Sequence, residues 1–189
     1  LAAYPWLRIE PASARRFSEH GEPFAHLIGR LSRVDAAAIT TDPQADDPFG
    51  EYRSDELMGV SGVEFAAERT LRGRRGRLVT DREGRTLEQV DAEHGRDVRL
   101  TLHAPLQQHL YQLLAEGVEQ HADSSGGAIV VLDVRTREVL ALVSYPSYDP
   151  NRFDELYSIL RDDTDRLPVS FGAVGSRYAP GSTIKPLVA

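Results

Sequence analysis

The chain has 189 residues, a formal net charge of −7, 41% hydrophobic residues and no cysteine. That length allows one or two domains with a packed core, and the 27% charged share excludes a wholly disordered or low-complexity chain. The missing cysteines exclude disulfides, thiolate zinc and cysteine nucleophiles, and the acidic balance argues against a nucleic-acid binder, which carries a basic face.

In chain order, residues 6–9 read as a strand closed by Pro11, and residues 24–31 as a short apolar segment interrupted by Gly29. Residues 40–56 are turn-forming and lack hydrophobic period, which predicts a surface loop. Ser61-Gly62-Val63-Glu64 has the form of a capping box opening a helix to about Arg72, stopped by Gly73. Residues 79–90 predict a hairpin around Asp81-Arg82-Glu83-Gly84, and 98–102 a further strand. Pro105 then opens the clearest helix: Leu106, Leu110, Leu113, Leu114 and Val118 form one apolar stripe, read as core, with Gln107, Gln108, Gln112 and Glu119 on the polar side. Asp123-Ser124-Ser125-Gly126-Gly127 breaks the pattern and is the candidate domain boundary. Beyond it, the apolar runs 128–132 and 139–143 predict a hairpin buried on both faces. A proline-punctuated turn follows at 145–151, then a short helix over 154–160 and an acidic loop over 162–166. No internal repeat is present. No run approaches the roughly 18–20 apolar residues of a membrane span. Because the chain opens on Leu1, a processed or cut piece is expected, with any signal or anchor upstream.

Of the 22 basic residues, 21 are arginine and one, Lys185, is lysine. Arginine does not deprotonate in a protein, whereas a lysine can be tuned to act as a base. Lys185 lies three residues after Ser182 in Tyr178-Ala179-Pro180-Gly181-Ser182-Thr183-Ile184-Lys185-Pro186. A serine hydroxyl is a poor nucleophile until a neighbouring base takes its proton. On a helix, positions i and i+3 share a face, with Cβ atoms about 5–6 Å apart. Pro186 fits only near a first turn, so a helix here begins at about Ser182 and aims free amides at the serine. Such a turn would also favour a developing oxyanion. The same four-letter pattern fits an ordinary surface turn carrying a solvated lysine.

The segment 178–186 resembles the active-site stretch of the class B penicillin-binding proteins, monofunctional D,D-transpeptidases that cross-link peptidoglycan. Gly127-Ala128-Ile129-Val130-Val131-Leu132-Asp133, Val139-Leu140-Ala141-Leu142-Val143-Ser144-Tyr145-Pro146 and Tyr148-Asp149-Pro150-Asn151 resemble the opening hairpin of that transpeptidase domain. Gly59-Val60-Ser61-Gly62-Val63-Glu64 with Leu71-Arg72-Gly73 and Gly76 resembles the family's non-catalytic pedestal. Leu100-Thr101-Leu102 with Leu106-Gln107 resembles the stretch joining pedestal to catalytic domain. The Tyr-x-Pro-Gly-Ser-Thr form and Ala25-His26-Leu27-Ile28-Gly29 are more similar to the elongation-type branch, penicillin-binding protein 2, than to the division type.

The resemblance implies an α+β fold: an elongated, mixed pedestal or dimerisation-type domain over 1–122, then the N-terminal portion of a serine β-lactamase-like transpeptidase domain over 123–189. Ser182 would attack the penultimate carbonyl of a D-alanyl-D-alanine stem peptide, with Lys185 as general base. Terminal D-alanine would leave, and an amine from a neighbouring stem would resolve the acyl-serine. β-Lactams would acylate the same serine. No cofactor or metal is implied, and no substrate-binding residue can be named. Partners would be elongation-machinery proteins including a glycosyltransferase, and the location the periplasmic face of the inner membrane, held by an N-terminal anchor helix. The family's Ser-x-Asn loop and Lys-Thr-Gly strand do not occur within these residues, so the 189 residues alone are expected to be inactive and to expose apolar strand surface. The alternative is a pedestal-only scaffold that docks cell-elongation partners. A β-lactam sensor or lactamase would not carry a segment like 59–76.

Three departures from the family pattern stand out. Arg137 occupies a hairpin-turn position where glycine is usual, which predicts an unfavourable backbone angle. His103 stands where aspartate is usual, and Leu167-Pro168-Val169-Ser170-Phe171 replaces an Asn-Arg-Ala-like stretch. Arg69, Arg72, Arg74, Arg75 and Arg77 read as a solvated cluster pairing with nearby acids, and the pedestal resemblance suggests a Glu64–Arg72 pair. The six histidines lack metal-ligand spacing, Asp162, Asp163 and Asp165 do not match a calcium loop, and Tyr145 and Tyr148 either border a cleft or pack.

Overall fold

A computed structural model describes Phe17, residues 21–179 and Lys185. The strand expected at 6–9 lies outside the described residues. The architecture mixes helices with antiparallel sheet, as expected.

A 3-10 turn over Glu22–Phe24 leads into helix α1, Ala25–Ile28, which ends at Gly29. Gly29 has φ +85, and a Cβ there would sit 1.9 Å from the Ser61 carbonyl oxygen, so only glycine fits. Strand β1, Leu31–Arg33, follows, then helix α2, Ala36–Thr40, capped by Asp35, whose carboxylate accepts from the Ala38 amide at 2.7 Å. Strand β2, Leu57–Gly59, pairs antiparallel with β1, Leu31 opposite Gly59.

The loop between α2 and β2 is held from inside. Asp42, buried, accepts from the amides of Gln44 (3.0 Å) and Tyr52 (2.7 Å) and from Arg72 Nη1 (3.1 Å) and Nη2 (2.7 Å). Arg72 also donates to the Gly50 carbonyl and lies 3.5 Å over the Tyr52 ring. Desolvation pushes the Asp42 carboxyl up, but the Arg72 contact and the two amides outweigh it and hold the group below its usual 3.8.

Helix α3, Gly62–Ala66, and helix α4, Glu68–Leu71, replace the single expected helix, with the break at Ala67. The capping box does not form: Ser61 makes no side-chain cap, and its Oγ instead accepts from the Arg30 amide at 3.2 Å. Glu64 is buried. Gly73 is no left-handed helix stop either. A Cβ there would meet the Glu93 carbonyl oxygen at 2.1 Å, because Arg74 and Glu93 form a β-bridge. Four of the five clustered arginines pair with acids: Arg74 with Asp47 and Glu93, Arg75 with Glu56, Arg77 with Glu88, and Arg72, largely enclosed rather than solvated, with Asp42 instead of the Glu64 that the pedestal resemblance suggested.

Strands β3, Arg77–Thr80, and β4, Thr86–Val90, make the expected hairpin. The strand expected at 98–102 is absent. That stretch runs beside the later sheet with side-chain and isolated backbone bonds instead: Thr101 Oγ1 donates to the Val139 carbonyl (2.7 Å) and the His103 amide to the Leu140 carbonyl (2.9 Å). Helix α5, Ala104–Glu119, is capped by His103, whose Nδ1 accepts from the Leu106 amide at 3.2 Å. An imidazole thus does the work expected of a carboxylate.

Strands β5, Gly127–Leu132, and β6, Val139–Tyr145, pair antiparallel, Gly127 opposite Tyr145, and α5 packs on them. Their turn is closed by Asp133, whose carboxylate accepts from the Arg135 (2.7 Å) and Thr136 (2.9 Å) amides. Arg137 has φ +64, the left-handed geometry that follows a type I turn in a bulged hairpin. The expected burial on both faces is not found: on β6 the face of Ala141 and Val143 is enclosed while Leu140 and Leu142 on the other face are half-buried, and on β5 Val130 and Leu132 are 49% and 55% exposed. Leu113 of the α5 stripe is also exposed, at 48%. The chain then forms helix α6, Phe153–Asp162, and the short helix α7, Gly172–Gly175, which leans on β5 and β6.

Gln107 overturns its expected place on the polar side of α5. It is fully enclosed, with 0% exposure. Its Oε1 accepts from the Leu142 amide (2.8 Å), while Nε2 donates to the Leu142 carbonyl (2.8 Å) and to the Pro23 carbonyl (2.7 Å). The N–H and C=O of one strand residue point the same way, so the carboxamide continues the β6 ladder on the side away from β5. The buried helix face runs through Gln107, Leu114 and Val118, at i, i+7 and i+11.

Candidate active site

Ser182 lies outside the described residues, so its geometry relative to Lys185 is not part of the structure. Lys185 is helical and exposed. The structure does describe the run that leads to Ser182, residues 163–179, and what fastens it.

That run turns through a left-handed residue. Leu167 has φ +49, although a residue before proline favours extended backbone. The turn is closed by bonds from the Arg166 amide to Asp163 Oδ1 (3.0 Å) and from the Ser170 amide to the Leu167 carbonyl (2.8 Å). The next carbonyl, Pro168, accepts from His26 Nε2 at 2.8 Å. Since a carbonyl only accepts, the ring carries its proton on Nε2. The His26 ring stacks on Phe171 (5.7 Å between centroids, 15° between planes) and meets Tyr148 edge-on (5.2 Å). Burial pulls the His26 pKa down, with the Pro168 contact opposing it. Further along, Ser144 of β6 accepts through Oγ from the Ala173 amide at 2.9 Å, fixing α7 to the sheet.

A groove of about 490 Å³ opens beside this run, lined among others by Gly126, Ser144, Tyr145, Arg166, Gly172 and Tyr178. Its charged edge is organised by Glu119, which accepts from Tyr145 Oη (2.6 Å) and from Arg166. Those two donors hold the Glu119 carboxyl below its ordinary value. Burial, and then Glu119, raise the Tyr145 phenol. The two tyrosines therefore divide: Tyr145 borders the groove, while Tyr148 is buried against His26 and Phe153.

Phe17 and residues 21–30 form a seam with the later part of the chain. Phe17 donates its amide to Asn151 Oδ1 (3.0 Å), Glu22 accepts from Ser147 Oγ (2.8 Å), Pro23 accepts from Gln107, and Arg30 lies over the Phe153 ring (5.3 Å). Sequence reading missed Gln107, His26 and Ser144. The first was legible, because its spacing to Leu114 and Val118 is helical. The other two bind backbone far away in sequence, which no local pattern reports.

Two family descriptions match the chain: the penicillin-binding protein dimerisation domain over residues 1–100, and the penicillin-binding protein transpeptidase domain over residues 127–189. Among similar proteins, peptidoglycan D,D-transpeptidase MrdA of Acinetobacter baumannii is 37% identical over 98% of this chain and 27% of its own length. MrdA of Escherichia coli K12 is 35% identical over 93% of this chain and 28% of its own length. Penicillin-binding protein 3 of Bacillus subtilis is 35% identical over 92% of this chain and 25% of its own length. The chain thus spans about a quarter of the length of these relatives.

Proposed function

The chain belongs to the penicillin-binding protein family, and from that premise we propose that it is part of a peptidoglycan D,D-transpeptidase that cross-links stem peptides during cell elongation. The observation that carries the reading is Ser182-Thr183-Ile184-Lys185 inside the 127–189 span that matches a transpeptidase domain. In this reading Ser182 forms the acyl-enzyme with the penultimate D-alanine carbonyl, and Lys185 accepts the serine proton. The helical backbone at Lys185 supports that role, whereas its exposure is shared with an ordinary solvated turn lysine. The proton then leaves with terminal D-alanine, and an acceptor amine releases the acyl group.

The organisation we propose is a pedestal over 1–122 and the opening of the catalytic domain over 123–189, with α5 resting on the hairpin of the second. The protein would work at the outer face of the cytoplasmic membrane, tethered by an anchor helix and alongside a glycosyltransferase of the elongation machinery. Among the described residues no helix is long and apolar enough to cross a membrane.

The test is labelling of the full reading frame with a fluorescent penicillin. Label should appear on Ser182, vanish in Ser182→Ala, and vanish in Lys185→Arg, which keeps the charge but cannot take up a proton. A folded protein that takes no label would leave the scaffold reading in its place.

A further inference from the structure

Among the described residues, the seam contacts made by Phe17 and residues 21–30 end on α5, β6, the 147–151 turn or α6, with one exception. His26 alone reaches the run that continues into Ser182, binding the Pro168 carbonyl 142 positions later at 2.8 Å and stacking on Phe171. We propose that His26 is a positioning residue for acylation, its ring fastening the Leu167–Pro168 turn and through it the backbone that delivers Ser182. This rests on the transpeptidase reading above.

Two independent features support it. The first is strain. Leu167 holds φ +49 immediately before a proline, a backbone geometry unfavourable for a side-chain-bearing residue at that position. Such backbone persists where its surroundings hold it. The His26 bond is anchored one residue beyond the strained position. Without it, the left-handed turn is held only by its local bonds to Asp163 and from Ser170, and the strain at Leu167 favours a shift of Pro168 and Phe171.

The second is that the remainder of the run is already fixed downstream. Ser144 Oγ holds the Ala173 amide, and α7 leans on β5 and β6. Residues 167–173 are therefore clamped at two points, one on the sheet and one on α1. Release of the α1 clamp leaves α7 held to the sheet by the Ser144 bond and its packing alone, so the short helix from which the chain runs on toward residue 182 loses one of its two supports. Misplacement of a reacting group by about 1 Å can cost up to about a hundredfold in rate.

The experiment uses the full-length protein and a fluorescent penicillin, with stopped-flow saturation separating the acylation constant k2 from the binding constant K. His26→Phe keeps the stacking on Phe171 and removes the donor; His26→Gln returns an N–H near the position of Nε2. The expected result is a fall in k2 of about tenfold or more in H26F with K within about twofold, and recovery of most of that loss in H26Q. Wild-type k2 in H26F, or equal loss in H26F and H26Q, overturns the proposal. If H26F does not fold, His26→Asn carries the test against H26Q. Asn has the same amide but stops one methylene short of Pro168, so H26N should be slow and H26Q near wild type, and equal rates refute the inference. Wild-type protein that takes no label at Ser182 removes the functional reading and this inference together. A labelled wild type with an unaffected H26F removes this inference alone.

Discussion

Gln107→Leu is the sharpest perturbation of the seam. The substitution keeps a side chain of similar volume on the buried face of α5 and deletes three hydrogen bonds, two to Leu142 and one to Pro23. All three partners are backbone groups that stay in place, so the mutation leaves an N–H and two carbonyls without their bonds. Each bond is worth about 1 kcal/mol net, and a buried group left unsatisfied costs about 1–3 kcal/mol. The three together give about 3–5 kcal/mol. Leucine is the more apolar side chain and returns about 1 kcal/mol of that through burial. The expected net loss is about 3 kcal/mol, roughly a hundredfold in the unfolding equilibrium. Urea unfolding of wild type and variant followed by circular dichroism measures it as a lowered midpoint at unchanged slope. A midpoint shift equivalent to less than about 0.5 kcal/mol would show that the carboxamide does not bind the β6 edge as described.

Asp42→Asn removes the partner of a nearly enclosed guanidinium, side-chain exposures being 1% for Asp42 and 13% for Arg72, and should cost about 3–5 kcal/mol in the same assay. In the wild type the Asp42 carboxyl titrates below 3.8, so its contribution is intact above that pH. It is lost as pH falls through the lower folded value, because the unfolded chain binds the proton first. Acid unfolding curves of wild type and D42N should therefore converge at low pH; parallel curves would contradict the pairing. Arg137→Gly relieves a left-handed arginine at φ +64, and should stabilise by about 0.5–1 kcal/mol after glycine's extra unfolded-state entropy is counted. Thermal melting checks it, and a lower midpoint would count against strain at that turn. His103→Asp should strengthen the α5 cap by about 0.5–1 kcal/mol, since a carboxylate accepts from the first-turn amides and favours the positive end of the helix dipole. Unfolding of H103D against wild type reads this directly.

Elements whose signals are local could be read from the residues. The 79–90 hairpin, α5, the β5–β6 pair and the short helix at 153–162 all follow from periodicity, turn residues or proline placement. The strained backbone at Arg137 was legible because a turn position there favours glycine. The failures share a cause. Ser61 and Glu64 have the letters of a capping box, yet the Ser61 hydroxyl serves the Arg30 amide, 31 positions away in sequence. Residues 98–102 have strand composition, but the edge of β6 is taken up by Gln107 and His103 before a ladder can form. A carboxamide counts as polar, which places Gln107 outward on pattern alone. Its burial is favourable only because a strand edge and the Pro23 carbonyl wait for it. At the candidate site, sequence named Ser182 and Lys185 through local spacing and family likeness, whereas the supports His26 and Ser144 act across 142 and 29 positions.

The seam also sets an order of events. Pro23 finds its donor 84 positions later and Phe17 finds Asn151 at a distance of 134. A chain emerging from its beginning therefore presents the Glu22 and Pro23 carbonyls before Ser147 and Gln107 exist to bind them, even though α3 is by then in place for α1, and the seam closes only once β6 has followed. Contacts of such sequence separation form slowly because a long loop must be closed before they reward it. Nascent chains halted short of residue 139 should leave Glu22–Ile28 open to protease, and the same stretch should become protected once Leu142 has emerged.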